Sequence, residues 1–131
     1  LKQIDKIENL PISVVVADVN DLKYINDTFG HLEGDRLLIE VAEILSAECR
    51  NCDVIARIGG DEFVILISKT NNAEVEALME QLKAKIETLD INGIPTSVAF
   101  GAATKEEEEK NIKSVFIDAE NRMYNNKTSK V

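Results

Sequence analysis

The sequence predicts an α/β fold, one mostly antiparallel sheet flanked by helices, and three observations carry that prediction. Short β-branched runs recur at 12–18, 54–58 and 63–67, the last two either side of a glycine turn. Apolar residues also recur at intervals of three and four along two long stretches, the signature of helices with one buried face. Finally, 131 residues is about the size of one domain with a single core. The order strand, helices, hairpin, helix, strand, helix contains no repeat and no linker, so residues 1–131 are expected to form one layered unit.

The first strand is Ile-Ser-Val-Val-Val-Ala-Asp at 12–18, a buried run that stops at an acid and so presents Asp18 at the end of the sheet. Leu22, Ile25 and Phe29 then follow at helical spacing, with Asn20 as the expected cap and Gly30 as the stop. From Asp35, the positions Leu37, Leu38, Val41, Ile44 and Leu45 predict an amphipathic helix to about Cys49. Val54–Ile58 and Phe63–Ile67 flank Gly-Gly-Asp-Glu, a strong hairpin signal whose turn carries the acids. A second long helix is expected over 72–89, opened by Asn71 with Glu74 as a capping pair. Residues 95–103 read as another strand, and Ile112, Val115, Phe116, Ala119 and Met123 mark a final helix. Glu106–Glu109 reads as a solvated loop or frayed helix start.

Composition narrows the function. With 44% hydrophobic and 30% charged residues and two prolines, the chain has the balance of an ordinary globular protein. Only 5% is aromatic, without Trp, so a base-stacking platform has little material. Fifteen basic against twenty-four acidic residues give a net charge of -9, the wrong sign for a nucleic-acid surface, and no nucleic-acid partner is expected. Net charge does not decide what one pocket binds, so a small phosphorylated ligand stays open. No apolar stretch approaches the roughly 18 residues of a membrane span, and the opening LKQIDKIENL lacks a signal-peptide core. The chain is cytoplasmic in character, and its start at Leu1 rather than Met suggests a segment of a longer protein. Cys49 and Cys52 form a lone C-x-x-C near a helix end; zinc needs about four ligands, so the pair reads as incidental thiols.

Chemistry is expected where Asp18, Asp61 and Glu62 meet. If the first strand and the hairpin are neighbours, these carboxylates converge at one end of the sheet, and hard oxygen ligands of that kind suit Mg²⁺. Gly59 and Gly60 leave backbone N–H groups open to a phosphate. Alone, Gly-Gly-Asp-Glu is most simply a tight polar turn.

The match is wider than the turn. Gly59-Gly60-Asp61-Glu62-Phe63 is similar, letter for letter, to the name motif of the GGDEF domains of diguanylate cyclases. Residues 18–35, with Asp18, Lys23, Asn26, Asp27, Gly30, His31, Gly34 and Asp35, resemble the family's long first-strand motif. Residues 119–127, Ala-Glu-Asn-Arg-Met-Tyr-Asn-Asn-Lys, resemble its C-terminal A-D-x-A-M-Y-x-A-K segment. The resemblance implies a GGDEF/nucleotidyl cyclase fold and a reaction in which two GTP condense to cyclic di-GMP and release pyrophosphate, catalysed by a homodimer.

It also implies roles. Asp18 and Asp61 would hold Mg²⁺ or Mn²⁺, with the Val19 carbonyl as a further ligand, and Glu62 would assist with metal or proton handling. Asn26 and Asp35 correspond to guanine-reading residues; a carboxylate accepts from both guanine N1–H and N2–H, which adenine does not offer, although Asp35 is also a candidate helix cap. Lys23 and Lys127 would meet the phosphates. Arg50 and Asp53 resemble the R-x-x-D product-inhibition site, whose plain alternative is a surface ion pair.

Three departures bear on these expectations. The D-x-L-T-x-L-x-N-R segment, normally upstream of the first strand, is absent, which implies a domain without its N-terminal helix, in a parent carrying sensory or transmembrane domains before it. The usual Gly-Arg after the C-terminal Lys is replaced by Thr128-Ser129-Lys130-Val131. No Arg lies between Arg57 and Arg122, so a secondary inhibitory arginine is missing. The competing function is a catalytically silent module that binds cyclic di-GMP or GTP for regulation; a third is an interaction domain without nucleotide.

Overall fold

The computed structural model describes residues 6–49, 54–91 and 93–128. Its centre is an antiparallel sheet ordered β2 (Val54–Ile58), β3 (Glu62–Ile67), β1 (Ile12–Val19), β6 (Val98–Lys105). β1 is buried at all eight positions because it is paired on both edges and covered on both faces, which suits a run that is apolar but for Ser13 and Asp18. Its side chains alternate between two cores. Val15, Ala17 and Val19 face a core built with α1 (Leu22–Phe29), α2 (His31–Glu48) and α3 (Asn72–Ile86). Val14 and Val16 face Val115, Ala119 and Met123 of α4 (Ile112–Thr128).

The two faces are unequally covered. Among the described residues α4 alone shields its side, lying over β6 and β1, and beside it lies an apolar hollow of about 320 Å³ between β2, β3 and the start of α4. α4 lies so close to β6 that a Cβ at Gly101 would collide with the helix backbone at Ala119 and Met123. From there Arg122 Nη1 donates to the Ala102 carbonyl (2.7 Å) and Asn126 Nδ2 to that of Phe100 (2.6 Å), occupying acceptors on the edge strand. No described helix is long and apolar enough to cross a membrane.

Several boundaries differ from the sequence reading. Asn20 does not cap α1: its N–H extends the ladder to the Ser97 carbonyl (3.0 Å) and its side chain donates to Ser97 Oγ (2.9 Å). The cap position is Asp21, left-handed at φ 61 and without a side-chain cap bond. α2 begins at His31 rather than Asp35, because Gly30, at φ 94, ends one helix and opens the next in a single residue. Asp35 therefore lies in the second turn and caps nothing. α3 stops at Ile86, short of Leu89, where the Thr96 hydroxyl takes the Ile86 carbonyl (2.9 Å). Residues 94–95 belong to a small hairpin of β4 (Asp90–Ile91) and β5 (Ile94–Pro95), and the main strand runs on to Lys105. The capping box at α3 is present in both directions, each bond 2.9 Å.

Candidate functional site

The antiparallel register places Asp18 directly opposite Glu62 across β1 and β3. One step further, the Val19 N–H donates to the Asp61 carbonyl (2.9 Å), which folds the hairpin turn back onto the end of β1. The two strands thus bring Asp18, Asp61 and Glu62 together, and the expectation that strand and hairpin are neighbours holds. Gly59 carries φ 66, a left-handed turn that favours glycine, and a Cβ on either Gly59 or Gly60 would meet nothing within 4 Å, so the turn is open to approach.

α4 supplies the counter-charge. Lys127 Nζ lies 3.0 Å from Asp18 Oδ1, and the Asp18 side chain is only 7% exposed. Burial lifts the Asp18 carboxyl above its ordinary value; Lys127 pulls it down less strongly and the Asp61 charge adds to the rise. Glu62 is pushed up to about 7, first by burial, then by the charges of Glu120 and Asp18. Its Oε1 is buried and has no hydrogen-bond partner among the described residues. Such an oxygen is costly to leave unsatisfied and marks a place where a cation or a proton belongs.

Sequence reasoning missed Glu120 and Tyr124. Both lie inside the quoted C-terminal segment, and helical spacing puts Glu120, Tyr124 and Lys127 on one face of α4. The Glu120 carboxyl meets that of Glu62, and the negative charge of Glu62 raises the Tyr124 phenol. The spacing of 120, 124 and 127 was the available signal.

The other predicted residues lie elsewhere. Lys23 extends from α1 with its side chain 92% exposed, 3.5 Å from Asp27, and does not join the carboxylates. Asn26 is half-buried on α1, its amide against Gly34, and Asp35 is exposed one residue further along α2. Val19 is buried at the end of β1. Cys49 is buried at the end of α2. Arg50, Cys52 and Asp53 fall outside the described residues.

An antiparallel sheet with acids from two neighbouring strands at one end, a lysine from a covering helix and an open glycine turn defines a class of α/β domain with an acidic, oxygen-lined site. The chain belongs to the diguanylate cyclase GGDEF domain family, whose model matches residues 1–131. It is 31% identical over 120 residues to diguanylate cyclase A of Treponema denticola, covering 88% of this chain and 32% of that protein. The active GGEEF domain of a diguanylate cyclase from Vibrio cholerae superposes with a TM-score of 0.88 at 22% identity, over 98% of this chain and 83% of that one. A microbial GGDEF domain solved for its interaction with cyclic di-GMP gives a TM-score of 0.77 at 30% identity, over 97% and 77%. The chain spans about a third or less of the length of the curated relatives named first among its matches.

Proposed function

We propose that this chain is a diguanylate cyclase domain: two copies, each holding one GTP, face each other and join the nucleotides into cyclic di-GMP with release of two pyrophosphates. The observation that carries the reading is the register-matched pair Asp18 and Glu62 beside Asp61, answered by Lys127.

The site suits a divalent cation. Its donors are hard oxygens, one buried oxygen of Glu62 is orphaned, and Asp18 already has a cationic partner in the Lys127 ammonium. Among the described residues no three His, Cys, Asp or Glu side chains form a metal site by themselves, so backbone and phosphate oxygens would complete the shell. Asp18 and Asp61, with the Val19 carbonyl, would hold Mg²⁺ or Mn²⁺. When bound, the ion neutralises phosphate charge and favours the attacking alkoxide. Glu62, beside Asp61 and pushed up to about 7 without the ion, assists with metal or proton handling at the 3′-hydroxyl. Gly59 and Gly60 let phosphate approach the turn, Lys127 and Lys23 meet it, and Asn26 with Asp35 reads guanine. Arg50 and Asp53 bind product.

The test is to incubate the protein with GTP and Mg²⁺ and follow cyclic dinucleotide by chromatography, with Asp61→Ala and Glu62→Gln in parallel. Turnover per chain should rise with protein concentration, and Glu62→Gln should lower kcat by about 10²–10⁴-fold. No product from a dimerised wild type sinks the reading. The interaction of the 30% identical GGDEF structure with cyclic di-GMP favours one alternative, a silent receptor, which would bind cyclic di-GMP through Arg50 without turnover.

A further inference from the structure

The corner between α1 and α2 holds one side chain in place through the absence of another. We propose that Gly34 is a positioning residue for guanine recognition, its bare Cα forming the seat that fixes the Asn26 amide. The inference rests on the reading of Asn26 as a guanine contact and adds to it the residue through which that contact is set.

Gly34 is buried in the second turn of α2, where glycine is the poorest helix former apart from proline. Helix formation therefore does not explain its presence. A Cβ at this position would land on Asn26 Oδ1, 2.8 Å from Asn26 Cγ and 3.4 Å from Nδ2. The backbone around the seat is pinned: Gly30 N–H donates to the Asn26 carbonyl (2.9 Å) and Gly34 N–H to the Gly30 carbonyl (3.3 Å). The Asn26 side chain can still move, so a methyl group at 34 is relieved by turning the amide away rather than by opening the corner.

Packing alone fixes that amide. No side-chain hydrogen bond among the described residues uses it, so its two N–H donors are uncommitted while its oxygen rests against Gly34. Asp35, the residue after Gly34 on α2, is exposed. An amide and a carboxylate presented from neighbouring helices can match the mixed acceptor and donor edge of guanine, and adenine presents a different pattern. A displaced amide loses that match while leaving Asp35 in place.

The experiment is a double-mutant cycle on the chain with Gly34→Ala, Asn26→Ala and the pair. It reads equilibrium binding of GTP and ATP with Mg²⁺ and, separately, the melting temperature without nucleotide. Gly34→Ala should weaken GTP binding about five- to tenfold and leave ATP unchanged, and in the Asn26→Ala background it should cost nothing more. Wild-type GTP affinity in Gly34→Ala, or losses that multiply in the pair, overturns the proposal. If the wild type binds GTP and ATP alike, the guanine reading of the site fails, and the melting data then decide the seat alone. A seat requires that Gly34→Ala lower the melting temperature beside Asn26 and leave it unchanged or raise it beside Ala; equal shifts in both backgrounds overturn it.

Discussion

Asp18 holds an ammonium where the proposed reaction needs a divalent cation. The Lys127 pair at 3.0 Å keeps a buried carboxylate from standing alone, and a metal ligated by Asp18 competes with that ammonium for the same negative charge. Lys127→Gln should therefore tighten Mn²⁺ binding in the absence of nucleotide by several-fold and at the same time weaken GTP binding, a split in sign readable by spin resonance of free Mn²⁺ and by nucleotide titration. Glu62 gives a second test. Its folded value of about 7 stands above the ordinary 4.5, so the folded protein keeps a proton that the unfolded chain releases. That contribution to stability is complete below about 4.5 and is lost as pH rises through about 7. In chelator, denaturation midpoints between pH 5 and 8 should fall more steeply for wild type than for Glu62→Gln; equal slopes would refute the shift. The acids at 18, 61 and 62 were legible because motif and strand pattern agreed. Glu120 and Tyr124 were legible only as a spacing shared with Lys127, since the docking of α4 decides which of its faces meets the sheet end.

At the scale of elements, α4 is aligned by Gly101. The helix touches β6 where a side chain has no room, and this contact sets the height from which Lys127 reaches Asp18. Gly101→Ala should destabilise the fold by about 1–3 kcal/mol through overpacking, measured by chemical denaturation. The same variant should lose the Lys127 effect on metal binding, because the lysine is lifted with its helix. The strands and long helices were readable from periodicity, and Asn71 with Glu74 marked the start of α3 correctly. Helix starts at the first corner were not. Asn20 looks like a cap, yet the β1–β6 ladder extends to it and its side chain is turned to Ser97, and Gly30 lets α2 begin at His31, six residues before Leu37, its first strongly periodic position. The end of α3 likewise depends on Thr96, ten residues away in sequence from the carbonyl it satisfies. Hydrogen bonds to residues distant in sequence mark the first and last of these boundaries and the backbone of one glycine the other, and apolar periodicity contains none of them.

For the molecule as a whole, the uneven covering of the sheet has a practical consequence. Among the described residues three helices close one face, but on the other the hollow beside Val54, Ala56, Ile58, Val64 and Phe116 is apolar and open. Folding therefore does not remove all the oily surface that reporter dyes detect. The native protein should light up a neutral polarity-sensitive dye such as Nile red at room temperature, and Ala56→Glu should quench that signal without lowering the melting point seen by circular dichroism. Dark native protein would contradict the open face. A dye-based thermal-shift screen for GTP or metal would then start from a bright baseline and lose its upward transition, so ligand stabilisation of this chain is better followed by a backbone signal than by fluorescence.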